Sequence, residues 1–237
     1  MSVEQQEQAF KPSKLGTKAH WDECYERELV NWRECEEEGE IWFGQQAARR
    51  MVLQLKQLRL SSPTILDLGT GNGMLLHDVL DEELTEPEKS MGVDYSAASI
   101  ELAGSIAQER GRGLERVRWQ VLDLVGDEQS VGACGQWDVL LDKGTLDAIA
   151  LSAHSEAAIT AYVRSTRKLR SPAGVLILTS CNFTLEELKR LFTQDQSMGD
   201  EDEVVESNVA APPTFSFGGR TGSTTTVIMV RSKSPGR

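Results

Sequence analysis

Residues 64–73 read Thr-Ile-Leu-Asp-Leu-Gly-Thr-Gly-Asn-Gly, an apolar run followed by three glycines at alternate positions. The apolar run is typical of a strand buried in a parallel sheet. The glycines predict a tight turn into a helix, and they let a ligand approach the backbone because they have no side chain. A Gly-x-Gly pair also occurs in strand-to-helix turns that bind nothing, so the rest of the sequence has to distinguish a ligand-binding turn from a purely structural one.

The sequence on either side of this turn alternates between short apolar runs and amphipathic stretches. Strands are predicted at 64–68, 90–94, 117–122, 137–142, 174–180, 204–205, 214–217 and 224–230. Helices are predicted at 21–30, 45–60, 73–82, 97–111, 155–170 and 184–192. This alternation predicts βαβ units and a parallel sheet covered on both faces. Near the C-terminus, Gly218, Gly219 and Gly222 predict a hairpin turn between the final two strands.

The chain carries an excess of acidic residues. Of its 237 residues 37 are acidic and 25 basic, which gives a net charge of −12 and an isoelectric point near 4.8. This balance argues against binding along the phosphates of a nucleic acid and favours a basic partner. The four cysteines are widely spaced and form no ligand motif with histidine, so we expect reduced thiols and no metal site. No membrane span or export leader is apparent, so we expect a soluble protein without a membrane partner.

Four successive predicted strands have an aspartate at or near their end: Asp67, Asp94, Asp123 and Asp142. Open α/β sheets bind ligands beyond the carboxyl ends of their strands, so these acids should meet at one edge. Four carboxylates there indicate a ligand that is cationic or rich in hydroxyl groups. Asp94 follows Gly73 by 21 residues, the place at which an acid holds ribose hydroxyls in this architecture.

The glycine turn has the form Gly-x-Gly-x-Gly, which differs from the Gly-x-Gly-x-x-Gly of dinucleotide-binding proteins. It resembles the first motif of the seven-stranded (class I) S-adenosylmethionine-dependent methyltransferases. The resemblance implies a doubly wound α/β fold with N-terminal helices and a mostly parallel seven-stranded sheet whose last strand is antiparallel. It also implies S-adenosyl-L-methionine as cofactor, whose positive charges suit a rim of carboxylates. The implied cofactor-binding residues are Asp67, Gly69, Gly71 and Gly73 near the methionine moiety, Asp94 on the ribose, Tyr95, Asp123 and Leu124 beside the adenine, and Asp142 facing the methyl group.

Residues 142–148 read Asp-Lys-Gly-Thr-Leu-Asp-Ala and are more specific than the glycine turn. They resemble the DKGTxDA motif of the lysine methyltransferases that act on translation elongation factor 1-alpha, most closely those of type 2. Further stretches agree with that family at 15–17, 21–26, 39–44, 179–182 and 213–219, whereas 34–38, 82–89 and the acidic stretch before Val204 depart from it. The resemblance covers residues 15–230 and implies a protein-lysine N-methyltransferase with elongation factor 1-alpha as its protein substrate.

Methyl transfer to lysine is an in-line displacement at the sulfonium carbon, so catalysis should consist mainly of positioning. Asp142 is the predicted catalytic acceptor that orients the amine; a nearby carboxylate raises the pKa of a lysine, so Asp142 is a poor candidate for a strong base. Aromatic walls attract an ammonium group. Trp42 and Phe43 are predicted to form them, with core packing as an equally weighted alternative. Core packing is favoured for the remaining candidates, Trp21, Tyr25, Phe183 and Phe217.

These patterns divide the chain into a flexible tail (1–14), an N-terminal helical cap or substrate lobe (15–60), an S-adenosylmethionine-binding methyltransferase domain (61–232) and a second tail (233–237). The acidic residues of the lobe form either a solvated face or a docking surface for a basic protein. Two other functions stay open, a small-molecule methyltransferase on the same fold and a non-catalytic cofactor-binding partner subunit. We expect a cytoplasmic monomer and leave a nuclear location open.

Overall fold

The structure, a computed structural model, describes residues 11–193, 202–207, 209, 215–217, 220–222 and 225–233. The helices in these ranges are α1 (Lys18–Cys35), α2 (Gly44–Gln57), α3 (Met74–Asp81), α4 (Ala97–Arg110), α5 (Glu128–Ala133), α6 (Thr145–Ala150), α7 (Ser155–Leu169) and α8 (Leu185–Thr193). The strands are β1 (Ile65–Leu68), β2 (Ser90–Asp94), β3 (Arg118–Val121), β4 (Trp137–Lys143), β5 (Arg170–Ser180), β6 (Asp202–Glu206), β7 (Phe215–Phe217), β8 (Arg220–Gly222) and β9 (Thr226–Ser232).

Seven of the described strands form one sheet in the order β3-β2-β1-β4-β5-β9-β6. Strands β1 to β5 are all parallel to one another, and β9 is antiparallel to both β5 and β6. In the central strand β1, Leu66 pairs with Met91 on one side and with Leu140 on the other. The predicted α/β fold, with a mostly parallel seven-stranded sheet and an antiparallel last strand, is confirmed. Its strand order reverses beside β1, where such sheets bind ligands.

The C-terminal hairpin differs from the prediction. Strand β7 pairs with β8 in a separate two-stranded ribbon, so the partner of β7 is not the final strand. Gly218 and Gly219 lie outside the described residues. The final strand β9 enters the main sheet because its apolar run suits a position covered on both faces, where Val227 and Ile228 are buried.

Helices cover both faces of the sheet. Helices α2 and α3 pack on one face, where Met51 clusters with Ile65. Helices α7 and α8 pack on the other face, where Tyr162 clusters with Leu66. Ile65 and Leu66 therefore face opposite layers, as successive side chains of a strand do.

The N-terminal segment packs on the same domain. Tyr25 and Leu29 of α1 lie in a cluster with Leu102 of α4. The backbone N–H of Ser13 donates to the carbonyl oxygen of Leu151, just after α6, at 3.0 Å. The segment therefore contacts the rest of the chain at both α4 and α6. The division of the chain into an N-terminal lobe (15–60) and a methyltransferase domain (61–232) stays a prediction. No helix in the described part of the chain is long and apolar enough to cross a membrane.

Candidate active site

A cavity of about 490 Å³ opens beside the carboxyl edge of the sheet. Its lining comes from the loops after β1 and β3, the residues that follow β2 and β4, helix α1 and the segment before α2. The volume is within the range of small-molecule sites, about 300–1,000 Å³. Its place at the reversal of strand order is where open α/β sheets bind ligands.

The glycine turn approaches its neighbours too closely to admit side chains. A Cβ on Gly69 would lie 2.1 Å from the Thr145 Oγ1, and a Cβ on Gly71 would lie 2.6 Å from the Tyr25 hydroxyl oxygen. Both glycines also have positive φ, +65° and +58°. Gly69 and Gly71 line the cavity, as the prediction of cofactor-binding residues requires.

Two residues predicted to bind the cofactor lie behind the cavity wall. Gly73 faces β3, since a Cβ there would lie 2.7 Å from the Trp119 ring. Asp67 is 2% exposed, and its Oδ2 accepts a hydrogen bond from the Thr70 Oγ1 at 2.7 Å. Burial raises the pKa of Asp67 to about 7. Asp67 therefore supports Thr70, which lines the cavity, and does not line it itself.

Asp94 lies in the cavity wall and its carboxylate is anchored to the glycine turn. Its Oδ2 accepts from the Gly71 N–H at 3.1 Å and its Oδ1 from the Ser96 N–H at 3.0 Å. Burial raises the pKa of the Asp94 carboxyl. Tyr95 lines the cavity beside it, with the Lys18 Nζ 5.4 Å from the centre of the ring. The end of β2 thus brings the predicted ribose acid and the predicted aromatic together.

The loop after β3 supplies an apolar surface beside a carboxylate. Leu122 and Leu124 are buried and line the cavity. Asp123 is exposed and also lines it, with Oδ1 accepting from the N–H groups of Val125 and Gly126, both at 2.9 Å. An apolar floor next to an acceptor suits a flat base that carries an amino group.

Asp142 is fully buried and does not line the cavity. Its Oδ1 accepts from the Thr145 N–H at 2.7 Å, and its Oδ2 accepts from the Leu146 N–H at 3.1 Å and from the Tyr162 hydroxyl. Burial raises the pKa of Asp142 to about 7. We therefore correct the expectation that this carboxylate faces the transferred methyl group. Its oxygens are engaged by the otherwise unpaired N–H groups of the first turn of α6.

The second aspartate of the same motif, Asp147, does line the cavity. Its carboxylate accepts from the Ser180 Oγ and the Asn182 N–H, both at 2.8 Å, and from the Cys181 N–H at 3.3 Å. Burial raises the pKa of Asp147 to about 6. Sequence reasoning missed this residue because Asp147 lies inside a helix, whereas the search for acids followed the ends of strands.

Trp42 and Phe43 form part of the cavity lining from the segment before α2. The Trp42 ring packs edge-on against Trp21 with centroids 4.9 Å apart. The Phe43 ring lies against Gly144, where a Cβ would be 2.2 Å from the Phe43 Cε2. The Lys143 Nζ donates to the Trp42 carbonyl oxygen at 2.8 Å. The lysine and glycine of the motif at 142–148 therefore fix the position of this aromatic wall.

The remaining aromatic candidates divide into two groups. Trp21 and Tyr25 of α1 line the cavity, and the Trp21 Nε1 donates to the carbonyl oxygen of Leu15, another lining residue, at 2.7 Å. Tyr25 is also buried in the core cluster of α1 and α4, and Trp21 packs against that cluster, so the core packing favoured from the sequence is combined with a place in the cavity wall. Phe183 is 7% exposed and belongs to the core, and the Phe217 side chain lies outside the described part of the structure.

The lining residues fit S-adenosylmethionine. Asp94, Asp123 and Asp147 offer carboxylates next to the apolar surface of Leu122 and Leu124. The cofactor combines positive charges and ribose hydroxyls with a flat base, so each part has a matching surface. In the described ranges, no group of three His, Cys, Asp or Glu side chains could hold a metal ion.

Known proteins are similar to this chain in sequence or in fold. A family model described as a methyltransferase domain matches residues 60–224. The protein-lysine N-methyltransferase efm4 of Schizosaccharomyces pombe is 42% identical over 231 residues, which cover 91% of this chain and 93% of that protein. The chain belongs to this methyltransferase family. The EEF1A lysine methyltransferase 2 of Danio rerio is 37% identical over 224 residues, which cover 94% of this chain and 89% of that protein.

The protein is therefore a class I S-adenosylmethionine-dependent protein-lysine N-methyltransferase. Its fold matches that of magnesium protoporphyrin IX methyltransferase from Synechocystis with bound S-adenosylmethionine, with a TM-score of 0.60. The two share 16% sequence identity over 94% of this chain and 98% of the other, a level that shows a common fold and leaves substrate open.

Proposed function

We propose that this methyltransferase transfers a methyl group to a lysine side chain of translation elongation factor 1-alpha. In support, the Danio rerio relative is named for that substrate and aligns with 94% of this chain. The structural observation that carries the proposal is the aromatic wall of Trp42 and Phe43, held by Lys143 and Gly144. Aromatic faces attract ammonium groups, so this wall suits a lysine side chain.

The amine of the substrate has to lose its proton and align with the methyl group. S-adenosylmethionine, when bound, supplies that methyl group on a positively charged sulfur. Burial and the nearby positive charge lower the pKa of the incoming lysine. Asp147 is the carboxylate of the motif that lines the cavity, so we assign to it, in place of Asp142, the hydrogen bond that orients the amine. Trp42 and Phe43 exclude water, and positioning supplies most of the rate enhancement.

The test is transfer of labelled methyl groups from S-adenosylmethionine into a lysate of cells that lack this protein, followed by mass spectrometry of the labelled species. Asp94→Asn removes a charge from the cavity wall and should abolish labelling through loss of cofactor affinity. Glu109→Gln makes the same charge change at an exposed position outside the cavity and should label as the wild type does.

Lysine methylation of elongation factor 1-alpha would support the proposal and identify the target lysine. Labelling of small molecules alone would favour a small-molecule methyltransferase. Cofactor binding without any labelled product would favour a non-catalytic partner subunit. Labelling of a different protein would retain lysine methylation and replace the substrate.

We further propose that the enzyme acts as a monomer in the cytoplasm on a basic surface of its protein substrate. The net charge of −12 supports a basic partner. Light scattering of the purified protein tests the monomer, and imaging of a tagged chain tests the location.

A further inference from the structure

A second cavity, of about 1040 Å³, lies between α1 and residues 36–42, and we call it the acidic groove. Among the described residues, the basic side chains that line it are those of Lys14, His20 and Arg27. The acidic residues that line it are Glu28, Glu36, Glu37, Glu38 and Glu40. Leu15, Glu40 and Trp42 line both the groove and the cofactor cavity. The groove therefore adjoins the aromatic wall of Trp42 and Phe43.

Glu28 distinguishes the groove from a solvated acidic face. Glu28 is only 8% exposed, and its Oε1 accepts a hydrogen bond from the Glu40 N–H at 3.1 Å. Its Oε2 is buried against Gly39 and has no hydrogen-bond partner. Burial raises the pKa of the Glu28 carboxyl. A buried carboxylate that lacks a full set of partners is destabilising, and the charge of a cation in the groove that Glu28 lines would stabilise it.

The wall of the groove opposite α1 is held in position by hydrogen bonds to Glu38. The Glu38 carboxylate accepts from the Arg110 Nε and from a terminal guanidinium nitrogen of Arg110, both at 2.7 Å. The Asn72 Nδ2 of the glycine turn donates to the Glu38 carbonyl oxygen at 2.9 Å. Because Glu38 is paired in this way, the negative charge that a ligand can use comes from Glu28, Glu36, Glu37 and Glu40. This wall of the groove is thus preorganised, and Asn72 connects it to the glycine turn.

We propose that the acidic groove docks a basic segment of the protein substrate, in which a lysine or arginine that flanks the target lysine is attracted by the charge of Glu28 and of the exposed glutamates beside it. This inference rests on the proposed function and names the surface that recognises the substrate. Charge complementarity favours this occupant, since an acidic groove attracts basic peptide and repels nucleic acid. A segment in the groove can present its target lysine across the shared wall of Leu15, Glu40 and Trp42.

The experiment compares Glu28→Gln with Glu34→Gln. Glutamine at position 28 keeps an oxygen for the Glu40 N–H and removes the charge. Glu34 is an exposed glutamate of the same helix that does not line the groove, so Glu34→Gln is a matched control. Methylation kinetics are measured with elongation factor 1-alpha at low and high salt. In parallel, fluorescence anisotropy measures binding of a labelled peptide of alternating lysine and glycine.

For Glu28→Gln we expect the KM for the protein substrate to rise roughly tenfold, with unchanged kcat and unchanged KM for the cofactor. Peptide affinity should fall to a similar extent, and both differences should shrink at high salt. Thermal stability should not fall, because the variant removes a buried charge, and this separates docking from a purely structural role. The double variant Glu36→Lys, Glu37→Lys, at exposed positions, should weaken peptide binding as well.

Equal KM and equal peptide affinity for Glu28→Gln and Glu34→Gln would overturn the docking proposal while leaving lysine methylation intact. Peptide binding that depends on Glu28, without methylation of elongation factor 1-alpha, would instead overturn the proposed substrate and keep the groove. The two failures are therefore distinguishable.

Discussion

At the scale of single residues, Gly144 shows how a missing side chain shapes the active site. Its φ is +91°, a conformation that favours glycine, and the Phe43 ring occupies the space in which a Cβ would lie. The motif at 142–148 therefore needs glycine for two reasons, the backbone conformation and the contact with a distant residue. The sequence shows the first requirement as a turn signal and gives no sign of the second.

Gly144→Ala should lower the rate of methyl transfer roughly 10–100-fold, because a displaced Phe43 ring no longer positions the substrate. Gly135→Ala is the matched control, since Gly135 has φ +80° and open space around its Cα. Both variants carry backbone strain of about 1–2 kcal/mol, so only the contact with Phe43 differs. Single-turnover rates and urea unfolding measure the two effects. An equal loss of activity in both variants would contradict this assignment.

At the scale of secondary-structure elements, the edge strand β6 is fastened by a buried ion-pair network. The Asp202 carboxylate accepts from the Arg167 Nε of α7 at 2.8 Å and from the Arg170 guanidinium of β5. All three side chains are at most 5% exposed. The network joins β6 to a helix and to a strand that is not its neighbour in the sheet, in addition to the pairing of β6 with β9.

Asp202→Asn should lower the free energy of unfolding by about 3–5 kcal/mol, because the buried guanidinium groups of Arg167 and Arg170 both lose the charge of this carboxylate. Glu203→Gln, next to it, removes an exposed ion pair with Arg231 at 2.9 Å and should cost at most about 1 kcal/mol. Urea denaturation of both variants gives the comparison. A small effect for both would show that the network does not hold the edge strand.

At the scale of the whole molecule, buried carboxyl groups gather around the cofactor cavity. Burial raises the pKa of Asp67 and of Asp142 to about 7, far above that of an exposed aspartate. The folded protein therefore binds more protons than the unfolded chain, and the stability from these groups is present at low pH and lost as the pH rises through about 7. His77 acts in the opposite direction at lower pH, because burial lowers its pKa to about 4.

Binding of S-adenosylmethionine should strengthen between pH 6.5 and 8.5, because its positive charges favour the ionised carboxylates. S-adenosylhomocysteine lacks the sulfonium charge and should show a weaker pH dependence. The measurement is the increase in Tm caused by each compound across this pH range, with Asp67→Asn expected to flatten the difference. The same pH dependence for both compounds would contradict this account.

Much of the fold was predictable because it depends on local patterns. Apolar runs such as 64–68 and 137–142 identify parallel strands by composition, and the glycines after the first run identify the turn into a helix. Since parallel strands all end at one edge, the sequence also places the cofactor site and its acid Asp94 there. The pairing of β7 with β8 was not predictable in this way, because two short strands of similar pattern can pair with more than one neighbour.

The site was less predictable, because the path of a side chain depends on packing between distant segments. The motif at 142–148 contains two aspartates, and nothing in their spacing tells which one reaches the cavity. Asp142 is engaged by the first turn of α6 and by Tyr162, which leaves Asp147 in the cavity wall. The aromatic wall and the acidic groove likewise exist only because α1 and residues 36–42 fold back over the sheet. The apolar pattern of the sequence determines the strands and the edge of the sheet at which they end. Packing between distant segments determines which side chains meet at that edge.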